Sequence, residues 1–264
     1  MADFEGRIVD GIAWATLNRP DSLNAYSDEM QELFTAFLRR IEHDPAVRCV
    51  VLSGAGDNFM AGGDIKSFVG NFEREPEERR FFFEATCQRM NPIIMLLRRL
   101  PKPVIASVQG ACAGLGVSFM LASDLAIVAD NAFFSLAYAR IGATPDGGAT
   151  YFLPHTIGMK RAAELLLLSE RIDAKTASDY GMINRIVPLA ELQAETEKLA
   201  RKVADSATIA LARTKALLVQ AEGDALERQL QAEAVNFAAC TVSADMSEGI
   251  SAFVEKRRPA FKGL

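Results

Sequence analysis

Histidine is scarce in this chain, with His43 and His155 the only two in 264 residues. Such a count argues against a histidine-built metal centre. The four cysteines (Cys49, Cys87, Cys112, Cys240) stand singly in apolar runs, and no CxxC pair occurs. Neither a disulfide framework nor a zinc ribbon is indicated. No apolar run approaches the roughly 18 residues expected of a membrane span. The acidic opening Met1-Ala-Asp-Phe-Glu5 lacks the basic and apolar regions of a signal peptide. A net charge of -5 disfavours a nucleic-acid carrier. The expectation is a soluble, cytoplasmic protein with neither membrane nor nucleic-acid partner.

What is present is apolar bulk: half the residues are hydrophobic, enough for one large core or a core with an appendage. Asp10-Gly11 between Arg7–Val9 and Ile12–Leu17 predicts a hairpin. Ser27 caps a periodic helix running to about Glu42. Cys49–Leu52 and Val104–Val108 read as buried strands. Between them come a glycine turn at Ala61-Gly-Gly-Asp64, a mobile loop to about Glu75 and a long helix from about Glu77. A small-residue helix to about Ala122 precedes strands at Leu125–Val128 and Phe133–Leu136, and from about Leu189 the pattern is helical, with breaks near Ser206, Gly223 and Ser243. Strands alternating with helices imply an α/β fold.

The stretch Gly110–Gly116 fails as a dinucleotide fingerprint, because the third glycine would fall at Phe119. It fails as a serine-hydrolase elbow too, because Met120 replaces the needed glycine. It reads better as a strand end turning into a helix N-terminus, where free N–H groups carry partial positive charge. Paired with an amide from Ala61–Asp64, it would form an oxyanion hole. The alternative is that these glycines serve only close packing. Downstream, Pro145-Asp-Gly-Gly148 sits where a strand-like run gives way to a helix-like one. Asp146, the only carboxylate between Asp130 and Glu164, is either a helix cap or a catalytic acid.

Several segments together carry a resemblance. They are Asn18-Arg-Pro with Leu23-Asn-Ala25, Phe59-Met-Ala-Gly-Gly-Asp-Ile65, Lys102–Ala106, Gly110 with Gly114-Leu-Gly116, Ala122-Ser-Asp124, Pro145–Gly148 and the ending Glu248–Phe261. In that order they resemble the crotonase superfamily of enoyl-CoA hydratases and isomerases over essentially the whole chain. The resemblance implies a spiral of repeated ββα units at 1–200 and a helical trimerisation region at 201–264, assembled as a homotrimer or dimer of trimers. It implies an acyl-CoA thioester held by the backbone amides of Gly63 and Leu115, with no metal or redox cofactor. Coenzyme A would lie near Leu23, Ala25, Ala61, Asp64, Ile65 and Lys66, and Phe261 and Lys262 would reach it from an adjacent subunit.

The departures set the subtype expected. Hydratases of this kind carry glutamates where this chain has Ser118 and Tyr138, and hydration needs two groups to manage water and proton. Asp146 falls where peroxisomal-type enoyl-CoA isomerases have a glutamate. It also matches the aspartate of bacterial ring-epoxide isomerases of phenylacetate degradation. A single base suffices to move a proton along a dienolate, and an apolar pocket raises its proton affinity. Tyr138 is expected as pocket wall and Ser118 as small packing. The 4-chlorobenzoyl-CoA dehalogenases share the aspartate but need a histidine where Asn91 stands. The expectation is an acyl-CoA isomerase with Asp146 as base. A hydratase of altered site and a non-catalytic acyl-CoA- or RNA-binding protein are the alternatives.

Overall fold

The computed structural model describes residues 2–65, 71, 73–222 and 244–264. The expected mobile loop to Glu75 lies in part outside the described residues. So do Lys66, Cys240 and the breaks near Gly223 and Ser243.

Alternating apolar side chains and a Asp10-Gly11 turn produce the opening hairpin of β1 (Phe4–Val9) and β2 (Ile12–Leu17). Both turn residues have positive φ (50° and 78°), as a two-residue hairpin turn demands. Helix α1 (Asp28–Glu42) follows, capped by Ser27 Oγ, which accepts the Met30 N–H at 3.1 Å. Strand β3 (Cys49–Gly54) then pairs parallel to β2, and helix α2 (Pro76–Arg99) runs back.

The next segments share one rhythm. Strand β4 (Val104–Val108) joins the large sheet, β5 (Ala111–Ala113) joins a smaller one, and α3 (Leu115–Ala122) follows. Likewise β6 (Leu125–Ala129) joins the large sheet, β7 (Phe133–Ser135) the smaller, and helices α4 (Ala149–Ile157) and α5 (Met159–Leu168) follow. Strand β8 (Arg171–Asp173), helix α6 (Ala174–Tyr180) and strand β9 (Arg185–Val187) complete both sheets. The large sheet runs β1-β2-β3-β4-β6-β9, parallel after the first pair, and the smaller runs β5-β7-β8. This is the repeated ββα spiral that the resemblance implies.

The inner strands β2, β3, β4 and β6 of the large sheet are buried on both faces, which is why they read as continuous apolar runs, whereas the edge strands β1 and β9 are largely exposed. Ala13, Ala15, Val50, Leu52, Val104 and Ala106 face the main core with Phe34, Leu38, Leu97 and Phe119. Ile12, Trp14, Cys49, Val51, Ile105 and Ile127 face the other way, toward Leu192, Leu199 and Ala200 of α7 (Leu192–Ala204). Across that second interface Ser107 and Thr196 share a hydrogen bond of 2.9 Å, satisfying the two buried hydroxyls together. Helices α8 (Thr208–Ala221) and α9 (Ala244–Glu255) extend the C-terminal helical region.

Three differences from the sequence reading matter. The glycine-rich stretch after β4 is itself a strand, β5, before the helix begins. The element before Pro145 is a 3₁₀ turn, Ala137–Ile141, rather than a strand. The three-residue strands β8 and β9 escape detection because each is too short to show a period.

Candidate active site

The glycine turn at 61–64 is held by a polar brace built from the preceding loop. Asn24 is fully buried, and its Nδ2 donates to the carbonyls of Ala55 (2.9 Å), Asn58 (2.8 Å) and Phe59 (3.2 Å). Its Oδ1 accepts the Arg19 N–H at 2.8 Å. Arg19 in turn donates to the Ala25 carbonyl (2.7 Å) and pairs with Asp64 (3.1 Å) and Asp3 (3.3 Å). Ala61 N–H donates to the Leu23 carbonyl and Tyr26 N–H to the Gly62 carbonyl, at 2.9 and 2.8 Å. Leu23, Ala25, Ala61, Asp64 and Ile65 are therefore brought together on one rim, where Leu23 and Ile65 stay exposed. Sequence reading missed Arg19 and Asn24 as the brace. Their signal was the Asn18-Arg-Pro and Leu23-Asn-Ala25 motifs themselves, in which a polar side chain recurs among apolar neighbours.

The second glycine turn is stitched to the first. Met60 N–H donates to the Ala111 carbonyl (2.9 Å), and Ala113 N–H donates back to the Met60 carbonyl (2.8 Å). Gly114, at φ 51° and ψ -121°, then turns the chain into α3, a conformation that a side chain would strain. A Cβ placed on Gly62 would lie 3.6 Å from the Leu115 nitrogen, so the two turns abut at backbone level. Leu115 opens α3, where an N–H has no partner within its own helix. Neither its N–H nor that of Gly63 donates to another group among the described residues. Two free amides next to each other can receive one oxygen that develops negative charge.

Asp146 stands at the same place. Its side chain is not a helix cap: α4 begins at Ala149, the cap position is Gly148, and no side chain closes it. Instead the Tyr138 hydroxyl donates to Asp146 Oδ1 at 2.7 Å, and the Ser118 hydroxyl donates to the Asp146 carbonyl at 3.1 Å. Tyr138 is thus more than the pocket wall expected, and Ser118 more than packing. Gly147 lets the loop approach α3, since a Cβ there would meet Leu115 Cδ1 at 2.6 Å and Ser118 Cβ at 2.9 Å. A Cβ on Gly114 would lie 3.6 Å from the Tyr138 hydroxyl, which ties the aspartate loop to the amide turn. Burial pushes the Asp146 carboxyl above the ordinary aspartate range, and the Tyr138 hydrogen bond acts against that rise. Burial, with the Asp146 charge added, drives the Tyr138 phenol far up, so it remains a neutral donor.

Phe261 and Lys262 are placed elsewhere. Arg48 donates to the Phe261 carbonyl at 3.2 Å, and Asp245 accepts the Lys262 and Gly263 N–H groups at 2.6 and 2.7 Å. Arg48 immediately precedes β3, whereas Asn24 and the glycine turn border its far end at Gly54. Six residues at roughly 3.3 Å each separate the two by about 20 Å. Within one chain these residues do not join the others. Among the described residues no cluster of metal-ligating side chains occurs and no helix is long and apolar enough to cross a membrane.

The family model described as "Enoyl-CoA hydratase/isomerase" matches residues 7–264. The 1,2-epoxyphenylacetyl-CoA isomerase of Escherichia coli K12 is 37% identical over 257 residues, 97% of each chain. The crotonyl-CoA hydratase of Syntrophomonas wolfei is 32% identical over 95% of this chain and 94% of its own. The crystal structure of an enoyl-CoA hydratase from Bacillus anthracis superposes with a TM-score of 0.92 at 30% identity, covering 99% of this chain and all (100%) of the other. The spiral fold, the paired glycine turns and these matches lead to one conclusion: the chain belongs to the enoyl-CoA hydratase/isomerase family and is an enzyme of it.

Proposed function

We propose that this enzyme isomerises an acyl-CoA thioester, either a Δ3-enoyl-CoA or an aromatic-pathway CoA ester, with Asp146 as its general base. The Gly63 and Leu115 amides receive the thioester oxygen and stabilise the enolate. Asp146 takes a proton from the carbon chain and returns it at another carbon. Coenzyme A lies along the rim formed by Leu23, Ala25, Ala61, Asp64 and Ile65, with Lys66 toward phosphate. Phe261 and Lys262 reach the CoA of an adjacent subunit in a trimer or a dimer of trimers.

The observation that carries this reading is the bonding of Asp146. The two positions where a hydratase pair is expected, Ser118 and Tyr138, both donate hydrogen bonds to this one residue. Among the described residues these positions therefore offer one carboxylate with neutral supports rather than two acids. A single base is sufficient for a proton shift and insufficient for the two-group work of adding water. Replacing Asp146 with asparagine is expected to abolish isomerisation while leaving CoA-ester binding intact. Near-wild-type turnover by that variant sinks the reading.

Hydration is the second reading, and the relatives favour it more than the geometry does: the Syntrophomonas wolfei and Bacillus anthracis proteins are both hydratases by name. Under it, Asp146 positions a water beside the Tyr138 hydroxyl. Crotonyl-CoA separates the two readings. Rapid loss of the enoyl-thioester absorbance with formation of 3-hydroxyacyl-CoA establishes hydration.

A further inference from the structure

We infer that Tyr138 and Ser118 are positioning residues that hold the Asp146 carboxylate ionised and fixed in orientation for proton transfer. The inference rests on the reading of Asp146 as the base and assigns what makes one buried acid usable.

The geometry divides the work. Tyr138 Oη, on the 3₁₀ turn, donates to Oδ1 at 2.7 Å, the length of a strong bond to an ionised acceptor. Among the described residues no other side chain donates to the carboxylate, and the residue's own backbone N–H adds a second bond to it. Ser118, on α3, fixes the main chain of the same residue through its carbonyl, 3.1 Å away. α3 is also the helix whose first N–H belongs to Leu115. A serine one turn along that helix therefore ties the position of the base to the position of the amide. With Gly147 pressed against Leu115 and Ser118, the aspartate loop has little room to move.

The charge balance needs such a support. Burial favours the protonated acid, in which form Asp146 cannot accept a proton, and the donor Tyr138 opposes that effect. Among the described residues, the other groups whose titration the Asp146 charge shifts supply no positive partner. Cys87 on α2 and Tyr26 ahead of α1 are both raised chiefly by burial and further by Asp146, so both stay neutral. Arg89, also on α2, acts on Tyr26 along with Asp28. Tyr138 is the neutral dipole that stands in for a cation.

The test follows the Asp146 carboxyl by infrared difference titration in the full-length enzyme, with Asp146→Asn identifying its band. The same proteins supply the pH profile of kcat/KM. In Tyr138→Phe the carboxyl titration and the acid limb of activity are expected to move together to higher pH, by about one unit. That equals the ten-fold bias that one hydrogen bond to a charged group supplies. The kcat falls about ten-fold and KM changes little. In Ser118→Ala the titration is expected to stay in place while kcat falls, and Ser118→Thr restores it. An unmoved carboxyl titration in Tyr138→Phe overturns the pairing. A titration that moves while Asp146→Asn keeps turning over leaves the pairing standing and overturns the base reading on which its catalytic meaning rests.

Discussion

Lys215 is a buried charged side chain that ties a C-terminal helix to the core. It lies on α8, is 6% exposed, and pairs with Asp124 at 2.7 Å. It also donates to the carbonyls of Leu97 (2.7 Å) and Lys102 (3.1 Å), so its ammonium is fully engaged between α2 and the start of β4. Asp124 additionally accepts the Val104 N–H at 2.7 Å. Lys215→Met keeps much of the apolar stem but leaves a carboxylate and two carbonyls without their donor. Removing one member of a buried pair costs about 3–5 kcal/mol, and half-buried Asp124 places the expected loss near the lower figure, ~3 kcal/mol. The double variant Asp124→Asn/Lys215→Met removes the stranded charge while an amide oxygen still accepts from Val104. It is expected to recover roughly 1–2 kcal/mol of the loss. Acidity supplies a further check on the sign. Burial already raises the Asp124 carboxyl, and Lys215 opposes that rise; without Lys215 the folded-state value climbs further. The folded variant then binds a proton more readily than the unfolded chain. Its relative stability is full below the ordinary aspartate range and is lost as pH rises through the folded value. The deficit of Lys215→Met against wild type should therefore shrink on acidification from pH 7.5 to 5. Urea midpoints at one fixed protein concentration measure all of this. Equal, pH-independent losses in the single and double variants refute the stranded-charge account.

Three other outcomes are expected. Asn24→Ala leaves three carbonyls of the 55–59 loop without a donor and should lower stability by about 2–3 kcal/mol in urea. It should also raise KM for acyl-CoA by loosening the adjoining turn. Gly147→Ala adds left-handed strain of about 1–2 kcal/mol at φ 58° and a clash with Leu115 and Ser118. Its kcat should fall far more than its urea midpoint, and an unchanged kcat would show that the loop has slack. In native protein a thiol reagent should leave Cys49 and Cys112 untouched, since burial pushes the Cys49 thiol up to about 12 and the Cys112 thiol well above its usual value. Mass mapping of labelled peptides reads this directly.

The local elements with long periods or marked ends were legible in the sequence. Helix α1 announced itself by the Ser27 cap and a clean apolar face, and the first hairpin by Asp10-Gly11. Strands β3 and β4 were visible as short continuous apolar runs that require cover on both faces, although nothing local says what supplies the second cover; that is α7, much later in the chain. Asp146 could be singled out because no other carboxylate lies near it in sequence. Its bonding could not be read, because Ser118 and Tyr138 meet it from different elements. A Pro-Asp pair before a helix predicts a cap by local rules alone. The three glycine-framed turns and the Tyr138 hydroxyl decide otherwise, and their proximity is a property of the spiral rather than of any one segment.

The bonds that Ser118 and Tyr138 make to Asp146 also bear on how such a site changes over generations. Exchange of Tyr138 for glutamate alone takes away a donor and sets a second negative charge within a hydrogen bond of the first, which raises the proton affinity of one of them. Exchange of Ser118 alone frees the Asp146 main chain. Each single step therefore removes a support before a new pair of acids is complete. Substitution at either position alone is expected to disturb Asp146 before any second acid can act with it, so the two positions are coupled through the residue they both hold.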